Sequence, residues 1–98
     1  MNGVESFAWE REFMKAKEEG SSAAVERTLA ILEAIAERES GMTNSEISRK
    51  LEIPKSTASY FLRTLEQCGY LRREADTGQY RLGIKVLSLS RGVQIGRD

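Results

Sequence analysis

Between Ala23 and Arg38 apolar residues return at intervals of three and four, as Val25, Leu29, Leu32, Ile35 and Ala36. That spacing lines one side of an α-helix and predicts a buried stripe, with Ser22 as the N-cap. Ser40 and Gly41 break the pattern. The run Thr43-Asn44-Ser45-Glu46 then has the Ser/Thr-x-x-Glu form. In that form Thr43 accepts from a first-turn N–H while Glu46 reaches back to the Thr43 N–H, so a second helix is expected to start there. It is short and turns Ile47 and Leu51 inward. Pro54 disfavours helical backbone at Ile53 and suits the first turn of a helix, so it closes the second helix and opens a third. The third runs from about Pro54 to Cys68, with Gly69 as a left-handed C-cap.

On a wheel of 100° per residue, Ala58, Phe61, Leu62, Leu65 and Cys68 of the third helix fall within an arc of about 120°. The opposite side carries Ser56, Ser59, Tyr60, Arg63 and Gln67. One face is for packing and the other offers hydrogen-bonding groups. After Gly69 the periodicity changes to alternation over Tyr70 to Glu74 and again over Gln79 to Leu82, separated by Ala75-Asp76-Thr77-Gly78. Two short strands around an Asp-x-Gly turn make a hairpin, with Gly78 supplying positive φ. Ile84, Val86, Leu87 and Leu89 predict one more short helix after Gly83, and pattern is lost over Gly92 to Asp98.

The segment from Glu5 to Glu19 is rich in helix formers and places Phe7, Trp9, Phe13 and Met14 at partly helical spacing before Gly20, Ser21 and Ser22 break it. So short a helix is stable only when docked. It can lie on its own domain or on a second copy, or remain an unfolded leader. These large side chains read as packing rather than as a ligand pocket.

The fold class expected is mainly α with a small β-hairpin. Its architecture is a winged helix-turn-helix, a three-helix core plus a wing, flanked by an N-terminal helix and a C-terminal linker helix. The boundaries are 1–21 for the N-terminal extension, 22–82 for the winged domain and 83–98 for the linker helix and tail. With 98 residues and 40% apolar content there is material for one core and not two.

Composition narrows the chemistry. Cys68 is the only cysteine and there is no histidine, so an internal disulfide is excluded and the commonest metal ligand and general base are absent. Neither a catalytic nor a metal site is expected, nor any cofactor. Cys68 itself reads as a small, partly buried apolar residue rather than a redox group. Apolar runs are short, and Glu5, Glu10, Arg11 and Glu12 interrupt any signal-peptide core, so a cytoplasmic protein without membrane contact is expected.

A formal net charge of zero argues at first against a polyanionic partner. The charge is segregated, however. Glu5 to Glu39 holds nine acids against five bases, a net of −4, whereas Arg49 to Arg81 holds seven bases against four acids, a net of +3. A basic half beside an acidic half suits a module with one face on nucleic acid, although solvated helix faces give the same count.

Two helices joined by a tight turn, the second with a polar and basic outer face, match a recognition helix lying in the major groove. Lys55, Ser56, Thr57, Ser59, Tyr60 and Arg63 would make its contacts, since short hydroxyl side chains let the backbone approach DNA. Arg72, Arg73 and Arg81 flank the hairpin turn, where they would grip phosphates or enter a minor groove. Each feature has an ordinary explanation, in that Tyr60 could pack, the arginines could be solvated and the Ser/Thr cluster could be capping. Their joint occurrence is harder to dismiss. The rival from another class is a winged-helix protein-interaction module, whose binding moderate salt would leave unchanged.

These residues carry a resemblance. Ala24-Val25-Glu26-Arg27-Thr28-Leu29-Ala30-Ile31-Leu32, Thr43 to Ser48, Leu51-Glu52-Ile53-Pro54-Lys55-Ser56-Thr57-Ala58, Leu62 to Glu66, Gly69-Tyr70-Leu71 and Tyr80-Arg81-Leu82-Gly83 together resemble the N-terminal DNA-binding domain of IclR-type transcriptional regulators. The resemblance spans about Ser22 to Leu89. It implies a winged helix-turn-helix regulator, expected to be a repressor, that binds double-stranded DNA as a homodimer at a palindromic operator. Regulators of that type continue into an effector-sensing domain. No small-molecule site is expected in this chain, and effector binding is not carried over.

Overall fold

A computed structural model describes residues 22–94 together with Arg11. The expected N-terminal helix with Phe7, Trp9, Phe13 and Met14 lies outside the described residues, as does the end of the tail. Within them the order is α1 (Ala23–Ala36), α2 (Asn44–Leu51), α3 (Lys55–Gln67), β1 (Leu71–Arg73), β2 (Tyr80–Leu82) and α4 (Ile84–Ser90). This is the mainly helical, hairpin-bearing winged helix-turn-helix expected from the periodicities.

Helix α1 starts where predicted, with the Val25 N–H donating to Ser22 Oγ at 3.4 Å. Its buried face takes only Ile35, and in part Leu32, from the predicted stripe. Ile31, Ala34 and Ile35 enter the core, whereas Val25 is 55% and Leu29 48% exposed, Leu32 is half-buried and Ala36 is exposed. The helix carries two apolar faces roughly 140° apart at 100° per residue, and spacing alone cannot say which one meets the core. Two long isoleucines one turn apart beside a small alanine fit the gap left by α2 and the hairpin.

Helix α2 is fixed at its start by the reciprocal pair expected of it. The Glu46 N–H donates to Thr43 Oγ1 at 3.2 Å and the Thr43 N–H donates to Glu46 Oε1 at 2.9 Å. At its other end Glu52 takes a left-handed conformation (φ 55°, ψ 49°), reversing the chain into α3. Ser48 locks this turn from both sides: its carbonyl accepts from the Ile53 N–H at 3.1 Å and its hydroxyl donates to the Ile53 carbonyl at 2.6 Å. Pro54 sits one place earlier than expected, as the N-cap of α3 rather than in its first turn, with φ −60° and ψ 147°. Its extended ψ accounts for this, and its carbonyl accepts from the Ala58 N–H.

The strands pair antiparallel with Leu71 opposite Leu82, Arg72 opposite Arg81 and Arg73 opposite Tyr80. Positive φ at Gly69 and Gly78 falls where the C-cap and the turn require it. A feature absent from the alternation is a third segment: Met42 bridges antiparallel to Tyr80, with N–H···O distances of 3.1 and 2.7 Å in the two directions. Gly41 permits it. Its φ is +82° and a Cβ there would collide with the Tyr80 carbonyl oxygen.

The core gathers Ile31 and Ile35 from α1, Ile47 and Leu51 from α2, Ile53 from the turn, Ala58, Leu62 and Leu65 from α3, and Met42, Leu71 and Tyr80 around the hairpin. Full burial of such side chains is worth about 1.5–3 kcal/mol each, and through them α3 packs against α2. Cys68 does not join them. It is exposed at the C-cap of α3, because the chain has left the helix there and the last inward position is Leu65. Helix α4 has no buried residue and leaves Ile84, Leu87 and Leu89 open to solvent.

Candidate nucleic-acid interface

Apart from Cys68, helix α3 divides as its wheel predicts. Ala58 and Leu62 are fully buried, while Lys55, Ser56 and Arg63 are exposed and Tyr60 is 62% exposed. Thr57 and Ser59 are half-buried at the edges of the outer face, so they reach outward less than their neighbours. The Tyr60 ring stands beside the half-buried Phe61 ring, 5.8 Å between centroids and tilted by 49°. That contact limits where the phenol can swing.

No side chain caps α3, since its N-cap is proline. The first-turn N–H groups therefore lie beside Lys55, Ser56 and Thr57 without a capping oxygen, and the positive end of the helix dipole is concentrated there. An anionic oxygen is the complementary ligand for such an end. Lys55, Arg63 and Arg73 form no ion pair among the described residues.

The hairpin brings the three wing arginines together but uses them differently. Arg73 is exposed, with its guanidinium over Gly78, whose Cβ position lies 3.4 Å from Arg73 Nη2. Arg72 Nη1 lies 3.3 Å from Glu74 Oε2. Arg81 is turned back into the protein: Nη1 donates to the Glu39 carbonyl at 2.7 Å, and Nε lies 3.2 Å from Glu74 Oε2, an ion contact whose angle falls short of a hydrogen bond. Of the arginines singled out in the sequence, Arg81 is thus the most committed within the molecule.

Sequence reasoning passed over the tie from Ser48 to Ile53, the Met42–Tyr80 bridge and the cations Arg38, Arg49 and Lys50 beside Glu46 in a shallow open cleft. Arg38 Nη2 lies 3.4 Å from Glu46 Oε2. The backbone N–H of Thr43 is the main cause holding the Glu46 carboxyl below its ordinary pKa; desolvation is the next-largest effect and opposes it, while Arg38 and the Thr43 hydroxyl add smaller lowering contributions. The unusual density of Arg and Lys around the capping box was the available signal for this cleft.

The sequence profile of the IclR helix-turn-helix domain matches residues 24–75, from early α1 through both helices of the turn into the wing. The chain belongs to that family. This IclR domain is 36% identical over 64 residues to the HTH-type transcriptional regulator XynR of Escherichia coli K12, covering 65% of this chain and 25% of that regulator. Its fold superposes on an IclR family transcriptional regulator from Brucella abortus with a TM-score of 0.67 at 36% identity, covering 74% of this chain and 28% of the other. The repressor BlcR of Agobacterium tumefaciens gives a TM-score of 0.65 at 28% identity, covering 78% of this chain and 30% of that chain. The chain thus spans about a quarter of the length of the curated relative it matches. IclR relatives are transcriptional regulators and not enzymes, and their helix-turn-helix domain implies regulation through DNA binding.

Proposed function

We propose that this chain reads a specific double-stranded DNA sequence, with α3 in the major groove and the wing on the neighbouring backbone. The observation that carries the reading is the division of α3, where Ser56, Tyr60 and Arg63 stand in solvent while Ala58, Leu62 and Leu65 are buried. Lys55, Ser56, Thr57, Ser59, Tyr60 and Arg63 are the contacts of the helix, and Arg72 and Arg73 those of the wing. Arg81 acts mainly as scaffold. Residues 22–82 form the reading unit, 83–98 lead away from it, and 1–21 precede it.

The regulator acts as a homodimer at a palindromic operator in the cytoplasm, and represses. Exposed Val25 and Leu29 on α1, and separately Ile84, Leu87, Leu89 and Val93 on and just after α4, support a second copy, since exposed apolar side chains favour a covered state. Twofold symmetry in the protein then requires an inverted repeat in the DNA. Likeness to BlcR, described as a repressor, supports repression. No described helix is long and apolar enough to cross a membrane.

The test separates reading from gripping. Selection from a random oligonucleotide pool first supplies the site, expected as an enriched inverted repeat. Arg63→Ala should then weaken binding to that site by about 1–3 kcal/mol while changing bulk-DNA binding less, whereas Arg72→Ala should weaken both and flatten the salt slope by about one unit. If no sequence is enriched and binding to a protein partner is insensitive to salt, the interaction-module reading replaces this one.

A further inference from the structure

Arg72 and Arg81 face each other directly across the strands, a pairing of like charges that destabilises a hairpin. Glu74 offsets it. Its Oε2 lies 3.3 Å from Arg72 Nη1 and 3.2 Å from Arg81 Nε, so a single carboxylate oxygen serves both guanidinium groups. The backbone holds that carboxylate in place, because the Glu74 N–H donates to the Gln79 carbonyl and the Glu74 carbonyl accepts from the Gly78 N–H, each at 2.8 Å. An anionic oxygen between arginines has the chemistry of a phosphate oxygen. The Glu74 side chain remains 35% exposed, and that of Arg72 63%, so a phosphate can approach the same guanidinium.

We propose that Glu74 is an internal competitor for phosphate, holding Arg72 and Arg81 and limiting the affinity of the wing for nucleic-acid backbone of any sequence. The inference rests on the DNA-binding reading above. Backbone contacts carry no sequence information, so a wing with all its arginines released would strengthen binding everywhere. Glu74 reduces the cluster to one net positive charge and makes Arg72 exchange one anionic partner for another. Arg73, with no carboxylate partner among the described residues, is the wing cation immediately available.

The test uses the whole chain and a duplex of random sequence, with affinity measured across a series of salt concentrations. Glu74→Gln keeps the shape of the side chain and removes its charge. It should bind about two- to fivefold more tightly at low salt, and its log–log salt slope should steepen by about 0.9. Glu74→Asp keeps the charge and should keep the wild-type slope. Unfolding curves of both variants establish that they are folded. Unchanged or weaker binding by Glu74→Gln, or an equally steepened slope in Glu74→Asp, overturns the proposal and leaves Glu74 as a shaper of the turn. A wild-type chain that binds no duplex at any salt concentration overturns the DNA-binding reading instead.

Discussion

Gly41→Ala should loosen the wing from the helical core, and the structure fixes how much that costs. The position needs φ +82°, and an added Cβ meets the Tyr80 carbonyl oxygen, which is backbone and cannot swing aside. Left-handed backbone costs an alanine about 1–2 kcal/mol. Relieving the collision parts Met42 from Tyr80 and forfeits both hydrogen bonds of that bridge, at about 1 kcal/mol each. Restricting the unfolded chain returns about 0.4–1 kcal/mol. The net loss is about 2–3.5 kcal/mol, which for a domain of this size lowers Tm by about 4–8 °C for each kcal/mol. Gly78→Ala is the internal control: its φ is +75°, but the nearest atom is the mobile end of Arg73 at 3.4 Å, so only the conformational part applies. Urea unfolding of the two variants isolates the collision. Equal losses in both would refute the claim that the Met42–Tyr80 bridge anchors the wing.

Two further outcomes follow from the local ties. Ser48→Ala removes the hydroxyl that donates to the Ile53 carbonyl at 2.6 Å, and should cost about 1 kcal/mol in urea unfolding after the better helix propensity of alanine is allowed for. The Glu46 carboxyl has a lowered pKa in the folded chain, so its contribution is present above the ordinary carboxylate value and is lost as pH falls through the folded one. The gap in Tm between wild type and Glu46→Gln should therefore be widest near neutral pH and should close in acid, and a gap independent of pH would count against the capping carboxylate.

What could be read from the sequence divides by the range of the interaction. The Thr43–Glu46 box, the reversal before Pro54, the break at Gly69 and the turn at Gly78 depend on residues within a few positions of one another, and all lie where their chemistry places them. The outer face of α3 was legible for the same reason, since one helix with one apolar arc has only one way to dock. Helix α1 was not, because it has two apolar arcs and the choice depends on partners that approach from α2 and the hairpin. Cys68 continued the arc on paper, but the helix ends at Gln67 and the following residue no longer follows the wheel. The Met42–Tyr80 bridge is one residue long and so leaves no period, and Arg81 reaches a carbonyl 42 residues earlier in the chain.

The neutral net charge can be reconciled with a nucleic-acid partner through the same distinction. A phosphate responds to charges within about a Debye length, roughly 8–10 Å at ordinary salt, and not to a sum over the whole chain. Glu33, Glu37 and Glu39 are carried by α1 and the loop after it, whereas the cations without a carboxylate partner among the described residues include Lys55 and Arg63 on α3 and Arg73 on the wing. The acid nearest the wing arginines, Glu74, is matched to Arg72 and Arg81. Acids are in excess before Arg49 and bases in excess from Arg49 to Arg81, so the total cancels while the surplus of positive charge falls on the stretch that holds α3 and the wing.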